Sequence, residues 1–288
     1  MTNSGAVRPN RVFVDTGQRR QIPLGVARFL SALVVFLSEC LFVTTVRADV
    51  VQLSPSRDTT IHADDPNASN GVGPVFFAGR TNRGGGSLRR ALVYFDVGSV
   101  PVGSTVTSVS LVMAVTREPG TPPQNGTLRR ILASWGEAGS SNTNGNGAPA
   151  QTGDATWSHR FYGAGGQTWT TAGGDLSPAA SATAPFGAAG TTVTFASTPL
   201  LIADVQGWVD QAVTNQGWAI LGDEAVVGSA TQFGSRENPN SALRPLLAIT
   251  YTPPDTSVPL LTPVGTAFVA AALFVIGLFH LRRNRMQA

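Results

Sequence analysis

Residues 105–116, TVTSVSLVMAVT, carry the pattern that decides the fold class of this chain. Apolar side chains recur at every second position near its middle: Val109, Leu111, Met113 and Val115. This is close to the period of two that is typical of a β-strand with one buried face. The stretch therefore predicts a β-strand that buries these four side chains on one face and carries smaller side chains on the other.

The rest of residues 49–252 has the same strand signature, in which short segments rich in Val, Thr and aromatics alternate with Gly, Pro, Asn and Ser clusters. Further strands are predicted over residues 50–53, 59–63, 75–78, 91–97, 127–135, 191–196, 218–221, 231–235 and 245–251. Residues 200–213 have helical apolar spacing instead and predict one short helix with Trp208 on its buried face, while Trp218 belongs to a core strand. The sequence thus predicts an all-β fold, an antiparallel β-sandwich of one domain.

Residues 81–97, TNRGGGSLRRALVYFDV, invite comparison with a phosphate-binding loop. Such a loop opens a helix whose N-terminus faces the phosphates. Here the glycines lead into a strand-like segment, and the chain contains no lysine. We therefore expect a strand, with Arg89 and Arg90 on its solvent side.

The basic charge lies at the two ends of the chain. Residues 49–263 contain 11 Arg and 15 Asp or Glu, a formal net charge of −4, although the whole chain has +3. A nucleic-acid partner is therefore not expected.

Residues 1–48 are typical of a signal peptide. Arg28 and earlier arginines precede the apolar run 29–46, and Ala48 offers a cleavage site. The alternative is an uncleaved anchor. Because the single cysteine, Cys40, lies inside this segment, cleavage would leave a protein without thiols.

The C-terminal end predicts a transmembrane helix. Residues 264–281 contain no formal charge and would span ~27 Å as a helix. The basic tail 282–288 follows, and its arginines stop the span on the cytoplasmic side: Arg282, Arg283 and Arg285.

A proline-containing motif lies in the linker 253–263 before this span, with Val258, Pro259 and Pro263 as its recognisable residues. The motif, the span and the arginine cluster together resemble the PEP-CTERM and IPTL-CTERM sorting tails of Gram-negative bacteria. The resemblance implies export to the cell envelope, with a membrane and a sorting protease as partners. A plain tail anchor is the alternative.

Motifs along the body resemble those of DNRLRE-domain proteins. They are, in chain order, DTTI (58–61), DPN (65–67), SNG (69–71), FAGRT (77–81), LRRALVYFD (88–96), VP (100–101), TVTSV (105–109), DATW (154–157), GGD (173–175), SRE (235–237) and RPL (244–246). The resemblance implies a secreted jelly-roll β-sandwich related to carbohydrate-binding modules. With no enzyme attached, it implies a binding or structural module.

Residues 136–190 form a long irregular segment with an aromatic centre between low-complexity flanks, and we expect the flanks to be disordered. Aromatic faces, arginines and amides are the groups that hold sugars. The candidate carbohydrate-binding residues are Trp157, His159, Arg160, Tyr162 and Trp169. The competing interpretation, which we prefer, is that they fold the segment onto the sandwich as a small core.

Asp58, Asp64 and Asp65 are the candidate metal ligands, since they supply carboxylate oxygens close together, as a structural calcium ion requires. Ordinary turn chemistry is the preferred explanation of these residues. No other cofactor is indicated.

Catalysis is not expected. His62, His159 and His280 are the only histidines, and neither a nucleophile elbow nor a two-histidine metal motif is present. Paired carboxylates of a glycoside hydrolase remain an open alternative, because sequence does not give their separation. The available carboxylates are Glu137, Asp154, Asp175, Asp223, Glu224 and Glu237.

These observations predict a non-catalytic exported protein of the cell envelope that binds polysaccharide through a jelly-roll module. A structural surface or matrix protein without a small ligand is the second hypothesis, and a polysaccharide lyase or hydrolase is the third.

Overall fold

The computed structural model describes residues 47–83, 87–122, 124–255 and 263–285. The predicted signal segment, up to residue 46, lies outside the described residues, as do Gly84, Gly85 and Gly86 and the sorting-motif residues Val258 and Pro259. The chain separates into two compact units, one of which is Val46–Thr256. This unit contains every strand of the described residues and is called the sandwich unit below.

The regular structure of the sandwich unit consists mainly of β-strands. They are β1 (Asp49–Leu53), β2 (Arg57–His62), β3 (Ala68–Ser69), β4 (Val75–Arg80), β5 (Leu88–Tyr94), β6 (Thr105–Arg117), β7 (Asn125–Arg130), β8 (Ala148–Pro149), β9 (His159–Phe161), β10 (Gln167–Thr168), β11 (Ala182–Pro185), β12 (Thr192–Phe195), β13 (Trp218–Leu221), β14 (Thr231–Gly234) and β15 (Leu246–Thr252). The other elements found among its described residues are one helix, α1 (Pro199–Val209), and a 3-10 turn (Ser241–Leu243).

Eleven strands form one curled antiparallel sheet in the order β1-β15-β6-β14-β4-β5-β13-β7-β11, with β12 added to β6 and β2 added to β5. The long strand β6 connects its parts, because it pairs with β15, β12 and β14 along successive portions of its length. Two short ladders, β3–β8 and β9–β10, lie apart from the sheet. The predicted all-β, sandwich-like fold is confirmed at this level.

The main core lies inside the curl of the sheet. Phe186 contacts Phe195 and Phe233 edge-on, with ring centroids 6.4 Å and 5.0 Å away, and Phe76 lies 5.7 Å from Phe233. The alternating side chains of β6 point into this core, as predicted, since Val109, Leu111, Met113 and Val115 are all buried. Because strands from both ends of the sheet contribute, the core holds the curl closed.

Helix α1 forms where helical spacing predicted it, but it ends at Val209 instead of residue 213. Thr198 caps its N-terminus by accepting a hydrogen bond from the Leu201 amide, and Pro199 follows in the first turn. Trp208 lies on its buried face with its ring centroid 4.5 Å from that of Trp218, so both tryptophans are packing residues, as expected.

All ten predicted strands are present, and the ends of all except β13 are shifted. The largest shift is in β7, which ends at Arg130, so that residues 131–135 leave the sheet after one isolated bridge between Ile131 and Leu176. The strands missed by the sequence are short ones of two to four residues, such as β3 and β9. Their pairing depends on distant partners and leaves little local signal.

Helix α2 (Pro263–Arg285) belongs to the other compact unit and covers the predicted span. Among the described residues, no helix has both the length and the apolar character needed to cross a membrane. The crossing predicted over 264–281 is thus not supported by the structure.

The packing around Gly126 is so tight that adding one methyl group there should destabilise the protein. A Cβ at Gly126 would lie 2.0 Å from the Phe186 ring, whereas a Cβ at Gly120 would meet nothing closer than 3.7 Å. We expect Gly126→Ala to lower the free energy of unfolding by about 1–3 kcal/mol, as overpacking does. Denaturant titration followed by tryptophan fluorescence measures it, with Gly120→Ala as the control. Equal stability of the two variants would contradict this packing.

Candidate functional site

The aromatic segment of residues 157–169 contains the β-hairpin β9–β10, which Trp169 anchors to the sandwich unit. Trp169 is 5% exposed and its indole Nε1 donates to the Thr156 carbonyl at 2.9 Å. It belongs to a second apolar cluster with Ile61, Leu92 and Trp135. This position agrees with the packing interpretation of Trp169 and leaves no face of its ring for a sugar.

Trp157 lies at the edge of the same second cluster and is partly exposed. The guanidinium of Arg90 lies 4.9 Å from the centre of a Trp157 ring, and the same guanidinium makes a two-point ion pair with Glu224 at 2.6 Å and 2.9 Å. The stacked arginine and its carboxylate restrict Trp157 to one orientation.

His159 and Tyr162 are two of the partly exposed aromatic residues of the hairpin. Their ring centroids are 5.4 Å apart and the rings are perpendicular. Arg160 lies between them in sequence and donates to the Thr168 carbonyl, the Ser134 carbonyl and hydroxyl, and the Gln167 side chain. The result is a fixed aromatic and polar surface, called the hairpin surface below, made of Trp157, His159, Arg160 and Tyr162.

The flanks of this segment are ordered, contrary to the disorder expected from their composition. In the first flank, the Asn142 amide donates to Asn70 Oδ1 at 2.6 Å. Asn142 and Asn144 each accept from the backbone two residues later, at 3.0 Å and 2.9 Å. Asparagine side chains can substitute for missing backbone partners in this way. The second flank contains β11, which pairs with β7.

Arg89 and Arg90 differ from the expectation that both mark a solvent face. Arg90 is largely buried in its pair with Glu224, and the Arg89 side chain is 1% exposed. Arg89 donates to Asp64 at 2.7 Å and to the Gly145 carbonyl at 2.8 Å. The charge is tolerated inside because a carboxylate and a carbonyl replace the lost water.

The three aspartates proposed as metal ligands have separate partners. Asp64 is paired with Arg89, which with Ser87 holds the pKa of Asp64 below its ordinary value against the opposing effect of burial. Asp65 accepts from the Asn67 amide at 3.2 Å, which is turn chemistry. Asp58 alone lies in a cluster of carboxylates, and its companions there are Glu137 and Glu237.

This carboxylate cluster brings three distant parts of the chain together. One oxygen from each of Asp58, Glu137 and Glu237 lies within 4.8 Å of the others, and no other such group of three occurs among the described residues. The Asp58 amide donates to Glu137 Oε1 at 2.9 Å, and the Arg236 amide donates to Asp58 Oδ2 at 2.7 Å. Arg236 Nη2 bridges Glu137 Oε2 at 2.7 Å and Glu237 Oε1 at 2.5 Å.

Burial opposes the negative charge of this cluster. It raises the pKa of Asp58 well above its ordinary value, and the neighbouring Glu237 carboxylate adds to the effect. Burial likewise raises the pKa of Glu137 and of Glu237, although Arg236 opposes the shift in both. The cluster therefore has more negative charge than one guanidinium neutralises.

The remaining carboxylates named from the sequence have partners of their own. Asp154, Asp175 and Asp223 accept hydrogen bonds from loop amides, and Glu224 pairs with Arg90. Within the clustered set, Asp58 is fully buried and the Glu137 side chain is 7% exposed. A polymer cannot reach carboxyl groups placed so deeply, so the cluster does not favour the hydrolase alternative.

Two of the sequence motifs contain residues of this cluster. Asp58 begins the DTTI motif, and Arg236 and Glu237 end the SRE motif. Glu137 is 79 residues from Asp58, and Arg236 is 178 residues from it. No local pattern indicates pairings at such separations.

A scan against protein-family models found none that matches this chain, and a search of curated proteins found no match either.

The buried position of Trp169 predicts a difference between it and the tyrosine beside it. We expect Trp169→Ala to lower the free energy of unfolding by about 3–5 kcal/mol, because it leaves a cavity in the second cluster. Tyr162→Ala, at a partly exposed side chain, should cost much less. Denaturant titration compares the two. A small loss for Trp169→Ala would contradict its packing role.

His62 is fully buried, and neither ring nitrogen has a hydrogen-bond partner. Burial, reinforced by the Arg89 charge and opposed by Asp64, lowers the pKa of His62 to about 3. The folded protein therefore does not bind this proton between pH 6.5 and about 3, whereas the unfolded chain does. The contribution of the neutral His62 ring to the free energy of unfolding is fully present above pH 6.5, and it is lost as the pH falls toward 3.

We expect the imidazole NMR signals of His62 to stay constant from about pH 8 to pH 5. Lowering the pH from about 7 to 5 should destabilise the native chain by up to about 2 kcal/mol more than His62→Gln, which has no titrating ring. A His62 resonance that titrates near pH 6 would refute this prediction.

Proposed function

We propose that this protein is a non-catalytic module that binds polysaccharide, and that the hairpin surface is its binding face. The observation that carries the proposal is the fixed, partly exposed arrangement of the perpendicular His159 and Tyr162 rings beside Arg160. Aromatic faces pack against the apolar side of a sugar ring, and arginine and histidine nitrogens donate to its hydroxyl oxygens.

Rigidity supports this proposal further. Arg160 is held by four hydrogen bonds, and Trp169 anchors the hairpin from beneath. Binding to such a surface orders few side chains, so little of the interaction is lost to entropy. We further propose the jelly-roll relationship to carbohydrate-binding modules, which rests on the DNRLRE-like motifs and the sandwich-like sheet.

The proposed location is the cell envelope, after export. It rests on the sequence of the two ends, namely the signal-like segment 1–48 and the sorting-tail-like segment 258–285. Under this proposal a membrane and a sorting protease are the partners of the C-terminal end.

A structural surface or matrix protein without a small ligand is the second candidate. The burial of Trp169 favours it, because one of the five predicted sugar-binding residues packs inside the protein and Trp157 contacts the same cluster.

Affinity electrophoresis of the full-length chain through gels containing different polysaccharides tests the proposal. We expect one polymer to retard the chain, and Tyr162→Ala or His159→Ala to abolish that retardation. Tyr251→Ala is the matched control, since Tyr251 is a partly buried tyrosine of β15 outside the hairpin.

Retardation that survives both hairpin substitutions would place the binding face elsewhere. A folded chain that no polymer retards would leave the structural candidate in place of polysaccharide binding.

A further inference from the structure

The carboxylate cluster has two oxygens that no protein group satisfies. Asp58 Oδ1 and Glu237 Oε2 are both buried without a hydrogen-bond partner, while the other oxygens of the cluster accept bonds from the Asp58 amide or from Arg236. An unsatisfied buried carboxylate oxygen costs several times what a neutral hydrogen bond contributes, so two in one cluster call for a partner.

The charge of the cluster indicates what kind of partner is missing. Asp58, Glu137 and Glu237 supply three negative charges when ionised, and Arg236 supplies one positive charge. The difference is two negative charges in a region where Asp58 is fully buried. A single divalent cation cancels this difference, whereas a monovalent cation leaves half of it.

The donor atoms narrow the choice of cation. All three ligands are carboxylates, with neither histidine nor cysteine among them, which suits a hard cation over zinc or copper. A calcium ion lies about 2.4 Å from each of its oxygen ligands, so two of those oxygens lie at most about 4.8 Å apart. The three ligand oxygens meet this limit of 4.8 Å. Magnesium keeps more of its bound water and is usually held by one or two protein carboxylates, fewer than this cluster offers.

The ligands are held by the backbone around them. Gly136 packs so closely that a Cβ there would lie 2.1 Å from the Gly153 carbonyl oxygen, which fixes the chain just before Glu137. On the other side, the Glu237 amide donates to Ser235 Oγ at 3.1 Å, and that hydroxyl donates to the Gly73 carbonyl at 2.6 Å. The side chain of Glu237 is 21% exposed, which gives an ion a route from solvent.

We propose that Asp58, Glu137 and Glu237 form a calcium site that joins β2, the segment after β7 and the segment after β14. The site is independent of the proposed polysaccharide binding, because none of its residues belongs to the hairpin surface. A calcium ion bound there would cross-link these three segments, which no disulfide or other covalent bond connects.

Calorimetric titration of the full-length chain with CaCl2, after treatment with EDTA and desalting, tests the proposal directly. We expect one ion to bind per chain and the unfolding temperature to rise with calcium concentration. Tryptophan fluorescence follows the unfolding, since all five tryptophans lie between residues 135 and 218 of the sandwich unit. MgCl2 at the same concentration should produce a smaller rise.

Glu237→Gln removes one ligand charge at nearly constant shape, and we expect it to weaken calcium binding at least tenfold. Glu224→Gln is the matched control, because Glu224 is also a partly exposed glutamate paired with an arginine, at 25% against 21% exposed. The control should bind calcium as the native chain does. Absence of calcium binding by the native chain, or equal binding by Glu237→Gln, would overturn the proposal.

Discussion

The pairing of β6 with three different strands is the constraint on which the rest of the sandwich unit depends. Its thirteen residues hold β15 along the first part, β12 across the middle and β14 at the end. A slip of one residue in β6 would turn Val109, Leu111 and Met113 out of the core. The close fit of the phenylalanine rings around Phe186 then fixes the register, and the curl of the sheet follows from it.

Polar contacts hold the 136–190 segment in a fixed conformation, whereas the burial of apolar side chains stabilises the sheet. Asparagines hold the first flank, Arg89 and Arg90 bind groups in or near the segment, and Asp154 accepts from two of its amides. Each of these side chains satisfies backbone groups that have no strand partner. The segment is long and irregular, yet it has a fixed shape on which the hairpin surface and Glu137 depend.

The strands were predictable because their signal is local. The alternation in residues 105–116 and the apolar runs around it reflect burial of one face, which each strand shows by itself. Helix α1 was predictable for the same reason, from the spacing of Leu201, Val205 and Trp208. The carboxylate cluster was not, because Asp58 meets Glu137 and Arg236 only through the finished fold. The composition of the asparagine-rich flank predicted disorder, and this prediction was wrong. Asparagine side chains form hydrogen bonds with the backbone there and hold the flank in one conformation.

The antiparallel pairing of β1 with β15 has a mechanical consequence. Asp49, where β1 begins, lies opposite Tyr251, near the end of β15, so both ends of the sandwich unit leave from the same end of one edge pair. A pulling force applied to the two ends would load these hydrogen bonds one after another, as in opening a zipper, and not all at once. The edge strand would then yield at low force while the curled sheet and its core stay folded.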